Sequence, residues 1–247
     1  MKLEVDAGNS WVKWRITEGD CEIVRGSQLT QPLREGQAFD LEAAGLQILD
    51  SLGEASISSV AGEEVVAAVQ DMLLNRCGLQ ASVAIVTPKA AGVTCAYQNT
   101  INLGIDRWLA ILASFNQFGA SVVIDAGSAI TIDVVDGSGC HLGGYILPGL
   151  HLMKRALWKG TDQVQVSQAW QSEIFPPGED TGDAVIKGCL LMAVSAIERV
   201  LQECEGQAVI TGGDAALIIP HIGVDLIHAP DLVLEGLSFG EVVRNDA

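Results

Sequence analysis

The chain has 247 residues, of which 49% are hydrophobic and 18% charged, so it has enough apolar side chains for a buried core and is not a disordered chain. Its 14 Lys and Arg residues against 31 Asp and Glu residues give a formal net charge of −17. This balance argues against binding of nucleic acid or anionic lipid, because such surfaces need clustered cations. A nucleotide is not excluded, since backbone N–H groups and a bound cation can hold its phosphates.

The start of the chain, MKLEVDAGNS, has no basic region followed by an apolar core, because Glu4 and Asp6 interrupt it. No stretch is apolar for the roughly 18 residues of a membrane span. The six cysteines form no CxxC pair. We therefore expect a cytoplasmic protein with reduced thiols that binds neither membranes nor nucleic acid.

Two similar segments lie about half a chain length apart. LEVDAGNSWVKWRI and VVIDAGSAITIDVV each consist of a β-rich run, Asp-Ala-Gly, a small polar residue and a second β-rich run. Asp6 aligns with Asp125, and Asn9 aligns with Ser128. Each segment predicts a β-hairpin, and the pair predicts two domains of like topology, residues 1–115 and 116–247.

Helices and strands alternate in the rest of the sequence. The patterns predict helices at 61–77, at 106–118 as a bridge between the halves, at 151–159, and from an N-cap at Thr181 to about Glu203. They predict strands at 82–86, at 141–149 and at 208–211, the last followed by another helix. The predicted fold class is therefore α/β, with mixed β-sheets flanked by helices in both domains.

The two Asp-Gly turns are the first candidate site. Glycine turns offer N–H donors to phosphate oxygens, whereas a carboxylate repels phosphate unless a cation or water lies between them. Asp6 and Asp125 are therefore candidate cation ligands beside a nucleotide triphosphate. In the alternative interpretation, each Asp only hydrogen-bonds its own turn, as is common in hairpins.

The segment Gly104-Ile105-Asp106-Arg107-Trp108 opens a predicted helix and has two interpretations. Asp106 in a first turn complements the helix dipole, with Arg107 solvated. Alternatively, Asp106 takes a hydroxyl proton while the planar fork of Arg107 holds a substrate carboxylate.

The remaining motifs carry less information. Thr211-Gly212-Gly213-Asp214 after a strand is a plausible platform for adenine or ribose, but such glycine pairs are frequent. Gly143-Gly144 and Pro148-Gly149 are consistent with simple turns. The sequence has no GxSxG, no GxxxxGK[ST] and no GxGxxG, so hydrolase triads, P-loops and dinucleotide sites are unsupported.

Taken in order, several of these motifs resemble the type III pantothenate kinase family, which belongs to the superfamily of actin and sugar kinases. The resemblance runs from Met1 to LEGL at 234–237 and is carried by DAGNSWVK, Tyr97, GIDRW, IDAGSAITID, GGYILPG, and Thr181 ahead of DAVIKG. It implies a ribonuclease H-like, actin-like ATPase fold. It also implies ATP-dependent phosphorylation of the 4′-hydroxyl of pantothenate, the first step of coenzyme A biosynthesis.

The resemblance also implies roles for individual residues. ATP would contact Asp6, Ala7, Gly8, Asn9, Ser10, Lys13 and Ser128. Pantothenate would contact Tyr97, Gly104, Ile105, Asp106, Arg107 and Thr181. Asp106 would be the general base, and Asp125 would bind a monovalent cation, K⁺ or NH₄⁺, with Mg²⁺ accompanying ATP.

The family further implies a homodimer with the pantothenate pocket near the subunit interface. Ser10 and Ser128 stand where the family usually has Thr, and both keep a hydroxyl. Two other functions stay open: a kinase of the same fold acting on a sugar or another hydroxy acid, and a non-catalytic accessory factor for transcription.

Overall fold

The computed structural model describes residues 1–41, 44–160, 170, 173–239 and 243–244. In these residues the strands are β1 (Lys2–Ala7), β2 (Trp11–Glu18), β3 (Cys21–Leu29), β4 (Glu54–Ser59), β5 (Ser82–Ala84), β6 (Lys89–Ala90), β7 (Val93–Thr94), β8 (Ser121–Ala126), β9 (Ala129–Val135), β10 (His141–Pro148), β11 (Gln207–Thr211), β12 (Ile227–His228) and β13 (Val243–Arg244). The helices are α1 (Thr30–Arg34), α2 (Leu46–Leu49), α3 (Glu63–Cys77), α4 (Ile105–Phe118), α5 (Leu150–Gly160), α6 (Thr181–Glu203), α7 (Ala215–Ile218) and α8 (Leu232–Gly236).

The chain forms two compact units. Unit 1 comprises Met1–Ala113 and Leu232–Ala247, and unit 2 comprises Ser114–Asp231. This division differs from the predicted one at its C-terminal end, because the segment that begins with α8 packs in unit 1. There the backbone of Gly236 lies directly against Leu109 of α4.

Unit 1 is built on a sheet with the strand order β13-β5-β4-β1-β2-β3. Strands β1, β2 and β3 are consecutive antiparallel neighbours, whereas β4 and β5 continue the sheet in parallel with β1. Alternate residues of β1 and β2 are fully or almost fully buried, as a strand with one covered face requires: Leu3, Val5, Ala7, Val12, Trp14 and Ile16.

Unit 2 repeats this arrangement in the order β10-β9-β8-β11-β12. Strands β8, β9 and β10 are antiparallel neighbours, and β11 and β12 run parallel to β8. Position for position, the five strands correspond to β3-β2-β1-β4-β5 of unit 1. The internal repeat in the sequence therefore marks a repeat of topology, and both predicted hairpins are present.

Most predicted helices are present with small changes at their ends. One detail was wrong: the N-cap of α6 is Asp180, whose Oδ1 accepts a hydrogen bond from the N–H of Asp183 at 2.8 Å, and Thr181 is the first helical residue. A carboxylate is an equally good cap, and the chain offers it one residue earlier. Among the described residues, no helix is both long and apolar enough to cross a bilayer.

Candidate active site

The turn between β1 and β2 is held from two sides. Within the turn, the N–H of Gly8 donates to the carbonyl of Trp11 at 3.0 Å. From α1, the N–H of Thr30 donates to the carbonyl of Ser10 at 3.0 Å, and its Oγ1 donates to the carbonyl of Gly8 at 2.7 Å. The side chains of Asn9 and Ser10 are exposed, so a fixed backbone presents both of them to solvent.

The end of β1 carries the first carboxylate. Asp6 is in register with Lys13 of β2 and with Ser58 of β4, so these three residues form a row across the sheet. Ala7 is fully buried in the core, and its carbonyl accepts from the N–H of Val60 at 3.0 Å. The predicted ATP residues of unit 1 thus lie in one hairpin, but the Ala7 side chain faces the core and only its backbone is placed for ligand contact.

The first turn of α4 holds Asp106 in a defined conformation. Its Oδ1 accepts a hydrogen bond from the N–H of Arg107 at 2.8 Å. A β-carbon on Gly104 would overlap this same Oδ1, so the space beside the carboxylate exists only because residue 104 is glycine.

Arg107 is a buried cation that contacts Tyr97. It is 5% exposed, its Nη1 donates to the hydroxyl of Tyr97 at 3.2 Å, and its guanidinium carbon lies 5.8 Å from the centre of the Tyr97 ring. Burying a charge is unfavourable unless acceptors or an anion surround it, and the Tyr97 hydroxyl is one such acceptor. Ile105 is also buried and packs in the core, which leaves its backbone for any ligand contact.

In unit 2, two glycine motifs meet at the carboxyl ends of parallel strands. Asp125 of β8 is in register with Thr211 of β11. Gly212 has a φ of +96°, and a β-carbon there would lie 2.5 Å from Asp125 Oδ1 and would overlap the carbonyl of Ala126. The N–H of Asp214 donates to that carbonyl at 2.8 Å. The Asp-Ala-Gly turn and the Thr-Gly-Gly turn therefore form one site.

A third glycine segment joins them. A β-carbon on Gly149 would overlap the carbonyls of Gly127 and Ser128, so Pro148-Gly149 is more than a simple turn. The Ser128 side chain is exposed at the tip of the hairpin. Thr181, the remaining residue predicted in unit 2, is also exposed and begins α6.

Sequence reasoning missed a polar pair next to this site. Asp214 Oδ1 lies 3.5 Å from His151 Nε2, and the indole N–H of Trp170 donates to the same nitrogen at 3.3 Å. Burial raises the pKa of Asp214, and the nearby His151 partly offsets that rise. The Gly-Gly-Asp sequence pointed to Asp214, but no sequence signal connects His151 to it, because α5 and the turn after β11 are far apart along the chain.

Two cavities in the described part of the chain lie apart from the predicted site residues. Two surface cavities, of about 410 and 440 Å³, contain Glu173 and His221 in one and Asp40 and Arg76 in the other, but no predicted site residue. No group of three or more His, Cys, Asp or Glu side chains is placed there to hold a metal unaided. A cation at this site would depend on few protein ligands, as Mg²⁺ with a nucleotide does.

The profile of the family "Type III pantothenate kinase" matches residues 2–203. Among curated proteins, the type III pantothenate kinase of Chromohalobacter salexigens is 36% identical, with 96% of this chain and 86% of the relative covered. The enzyme of that name from Pseudomonas putida strain KT2440 is 37% identical, with 96% and 98% covered. This chain belongs to the type III pantothenate kinase family.

Solved structures agree on the fold of this type III pantothenate kinase family member. A Campylobacter jejuni protein named for the Baf family of transcriptional activators is similar with a TM-score of 0.61 and 22% identity, over 96% of this chain and 95% of that one. A Sinorhizobium meliloti protein named as a 2-dehydro-3-deoxygalactonokinase has a TM-score of 0.59 and 13% identity, over 96% and 95%. At these identities the likeness shows the fold alone.

Two predictions are thereby confirmed: the family, with its activity class of pantothenate phosphotransferase, and the actin-like α/β fold with two similar domains. The roles of individual residues, the cations and the oligomeric state stay predictions. The contacts and burial described within each unit support these predictions physically.

Proposed function

We propose that this chain transfers the γ-phosphoryl group of ATP to the 4′-hydroxyl of pantothenate, giving 4′-phosphopantothenate in the first step of coenzyme A biosynthesis. The observation that supports it best is the grouping of Asp106, Arg107 and Tyr97 in unit 1. It supplies an oriented carboxylate next to a buried guanidinium. Pantothenate carries the two matching groups, a primary hydroxyl and a carboxylate.

Asp106 is the proposed general base. The hydrogen bond from the N–H of Arg107 to Oδ1 fixes the orientation of the carboxylate. The carboxylate then accepts the proton of the 4′-hydroxyl while the hydroxyl oxygen attacks the γ-phosphorus, and the bond from that phosphorus to the β–γ bridging oxygen breaks to release ADP. A positioned base contributes about 10²- to 10⁴-fold to the rate in typical cases. The remaining acceleration comes from alignment and charge neutralisation.

Arg107 is the proposed partner of the pantothenate carboxylate. Its planar fork forms two parallel hydrogen bonds with a carboxylate, and its burial strengthens them. Tyr97 holds the guanidinium from one side. Thr181 and the backbone of Gly104 and Ile105 complete the proposed contacts.

Each of the two Asp-Gly turns supplies proposed contacts for ATP. Gly8, Asn9 and Ser10 offer polar groups from a fixed turn, Lys13 and Ser128 add a cation and a hydroxyl, and Ala7 contributes only backbone. Asp6 fits Mg²⁺, which takes one or two carboxylates along with substrate phosphates. When bound, Mg²⁺ would neutralise charge that develops on the phosphates.

Asp125 is the proposed ligand of K⁺ or NH₄⁺. Asp125 Oδ1 and the carbonyl of Ala126 both lie close to Gly212, and they are two oxygen donors of the kind that hard cations prefer. The bound cation would supply positive charge to a chain whose net charge is −17.

A homodimer is the proposed oligomeric state. Unit 2 exposes large apolar side chains on the edge strand β10 and on α5 and α6: Leu142, Tyr145, Ile146, Leu152, Leu157, Trp158, Leu191 and Met192. Apolar surface of this extent favours association. Light scattering after size exclusion tests it, and a monomer at working concentration contradicts it.

The proposed location is the cytoplasm. All six cysteines are free, as the reducing cytoplasm would keep them. Fluorescence microscopy or cell fractionation of the tagged chain tests this, and recovery in the periplasmic or secreted fraction contradicts it.

The deciding experiment is an ADP-release assay with ATP, Mg²⁺ and pantothenate, run with K⁺, with NH₄⁺, or with only a bulky organic cation. We expect pantothenate-dependent turnover that collapses without the small cation and that Asp106→Asn reduces by about 10²-fold or more while ATP still binds. Asp71→Asn, on the exposed side of α3, is the control.

Three outcomes would contradict parts of this proposal. Near-normal turnover of Asp106→Asn contradicts its role as the base, and turnover independent of the cation contradicts the role of Asp125. A folded chain that binds ATP but ignores pantothenate indicates another acceptor or the accessory function.

A further inference from the structure

Arg34, the last residue of α1, connects the turn between β1 and β2 with the loop that follows β4. Its Nη2 donates to Asn9 Oδ1 at 3.0 Å, and its Nε donates to the carbonyl of Ala61 at 3.0 Å. All of these residues belong to unit 1. One guanidinium therefore fixes an exposed side chain of the turn relative to the sheet.

The chemistry of the pair sets the orientation of the Asn9 amide. A guanidinium carries only donors, so Asn9 must present its carbonyl oxygen to Arg34. The two N–H groups of the amide then point away from Arg34. Without this contact, the amide of an exposed Asn would have to be ordered when a ligand binds.

The rest of α1 supports the same turn. Thr30 hydrogen-bonds the carbonyls of Gly8 and Ser10, on either side of Asn9. The helix thus holds the backbone of the turn through its first residue and the Asn9 side chain through its last. A short helix that fixes three consecutive residues is well placed to prepare donors for an anion.

We propose that Arg34 is a positioning residue for ATP, acting through Asn9, whose amide N–H groups it directs towards a phosphate oxygen of the nucleotide. This rests on the proposed function, since it places the phosphates of ATP at the first turn. Arg34 itself need not touch ATP. The opposing interpretation is that Arg34 only ties α1 to the loop after β4.

A double-mutant cycle distinguishes the proposed role of Arg34 from the purely structural one. The affinity for Mg-ATP is measured by calorimetry without pantothenate for the wild type, Arg34→Gln, Asn9→Ala and the double variant. We expect Arg34→Gln to weaken ATP binding roughly tenfold, since a hydrogen bond to a charged group corresponds to about 10- to 100-fold and only its preorganisation is lost. We expect no further weakening in the Asn9→Ala background.

Two controls refine the test. Arg25→Gln removes another exposed arginine of unit 1, which pairs with Glu22, and should leave ATP affinity unchanged. Asn9→Asp keeps an acceptor for Arg34 but removes the N–H donors, so it should keep the melting temperature while losing ATP affinity. Kinetics should show a raised KM for ATP in Arg34→Gln with the KM for pantothenate unchanged.

Two results would overturn the proposal. One is an equal effect of Arg34→Gln with and without Asn9, and the other is a lowered melting temperature with unchanged ATP affinity. A chain that shows the expected coupling but leaves pantothenate unphosphorylated supports the role of Arg34 and contradicts only the proposed acceptor. A chain that does not bind ATP contradicts both.

Discussion

Gly104 makes room for the carboxylate of Asp106: a β-carbon at position 104 would overlap Asp106 Oδ1. The two residues lie on either side of Ile105, where the chain enters α4. The orientation of the proposed base thus depends on a residue that has no functional group of its own.

We therefore predict that Gly104→Ala displaces the Asp106 carboxylate and lowers kcat at least about tenfold, since a shift of about 1 Å in a catalytic group has such effects. The affinity for ATP should stay close to that of the wild type. Steady-state kinetics and calorimetry measure the two quantities.

Gly188 in α6 provides the matched control. Apart from its chain neighbours and the backbone of its own helix, nothing lies within 4 Å of a β-carbon built there, so Gly188→Ala should leave kcat unchanged and stabilise the helix by about 0.5–1 kcal/mol. Equal kinetic effects of the two substitutions would contradict the role of Gly104.

Tyr97→Phe should raise the KM for pantothenate severalfold with a smaller change in the KM for ATP. The variant removes the hydroxyl that accepts from Arg107 Nη1, and leaving a buried donor without this acceptor costs about 1–3 kcal/mol. Kinetics and thermal unfolding measure both effects.

Gly212→Ala should weaken the response to K⁺ and destabilise unit 2 by about 1–3 kcal/mol. The φ of +96° disfavours any β-carbon, and this one would press on the carbonyl of Ala126 and on Asp125 Oδ1. Gly213→Ala is the neighbouring control, because its β-carbon would meet nothing within 4 Å. A potassium titration of turnover tests this, and identical curves for the two variants would argue against it.

The stability of the protein should depend on Asp214 in a defined pH range. Because burial raises the pKa of Asp214 above its ordinary 3.8, the folded chain binds more protons than the unfolded chain just above that value. The contribution of Asp214 to the free energy of unfolding therefore falls as the pH rises through this interval and stays low above it. Asp214→Asn should remove this contribution, and urea unfolding at several pH values measures it.

The contribution of Asp136 to the free energy of unfolding should change with pH in the opposite direction. Hydrogen bonds from the Ser138 side chain and the N–H of Cys140 lower the pKa of Asp136, so its contribution to stability is present above 3.8 and is lost as the pH falls. If Asp214→Asn and Asp136→Asn shift the pH profile of unfolding in the same direction, the assignment of Asp214 is wrong.

The cysteines should differ in reactivity in the native protein. Burial raises the pKa of the Cys189 thiol, with Lys154 offsetting part of the rise, whereas Cys21 and Cys140 are exposed. Because the thiolate is the reactive form, iodoacetamide should label Cys21 and Cys140 well before Cys189. Mass spectrometry of partly labelled protein measures the order, and early labelling of Cys189 would show that α6 opens easily.

The sequence predicted the parts of the fold that local pattern determines. The two Asp-Ala-Gly hairpins, α4 and α6 follow from periodicity and turn residues, and the strand order of both units repeats as the sequence repeat predicts. The sequence did not predict that α8 packs in unit 1, because its packing against Leu109 depends on a contact between residues far apart in the chain.

The candidate site likewise has residues that the sequence predicted and residues that only the structure identifies. Asp106 and Arg107 were identified as neighbouring residues in the sequence. The structure adds the contact of Arg107 with Tyr97 and shows that a β-carbon at position 104 would overlap Asp106 Oδ1. Asp214 was noted only as part of a weak motif, and its pairing with His151 was not predicted. Arg34 was not noted at all, since nothing in the sequence connects it with Asn9 before α1 places them together.

The return of α8 to unit 1 has a consequence for biosynthesis. Unit 1 is discontinuous in sequence, whereas unit 2 is one uninterrupted segment, Ser114–Asp231, inserted into it. A chain that ends before Leu232 therefore contains every described strand of unit 2 but lacks α8 of unit 1. Once released from the ribosome, such a truncated chain should protect unit 2 from protease while the incomplete unit 1 is still cleaved.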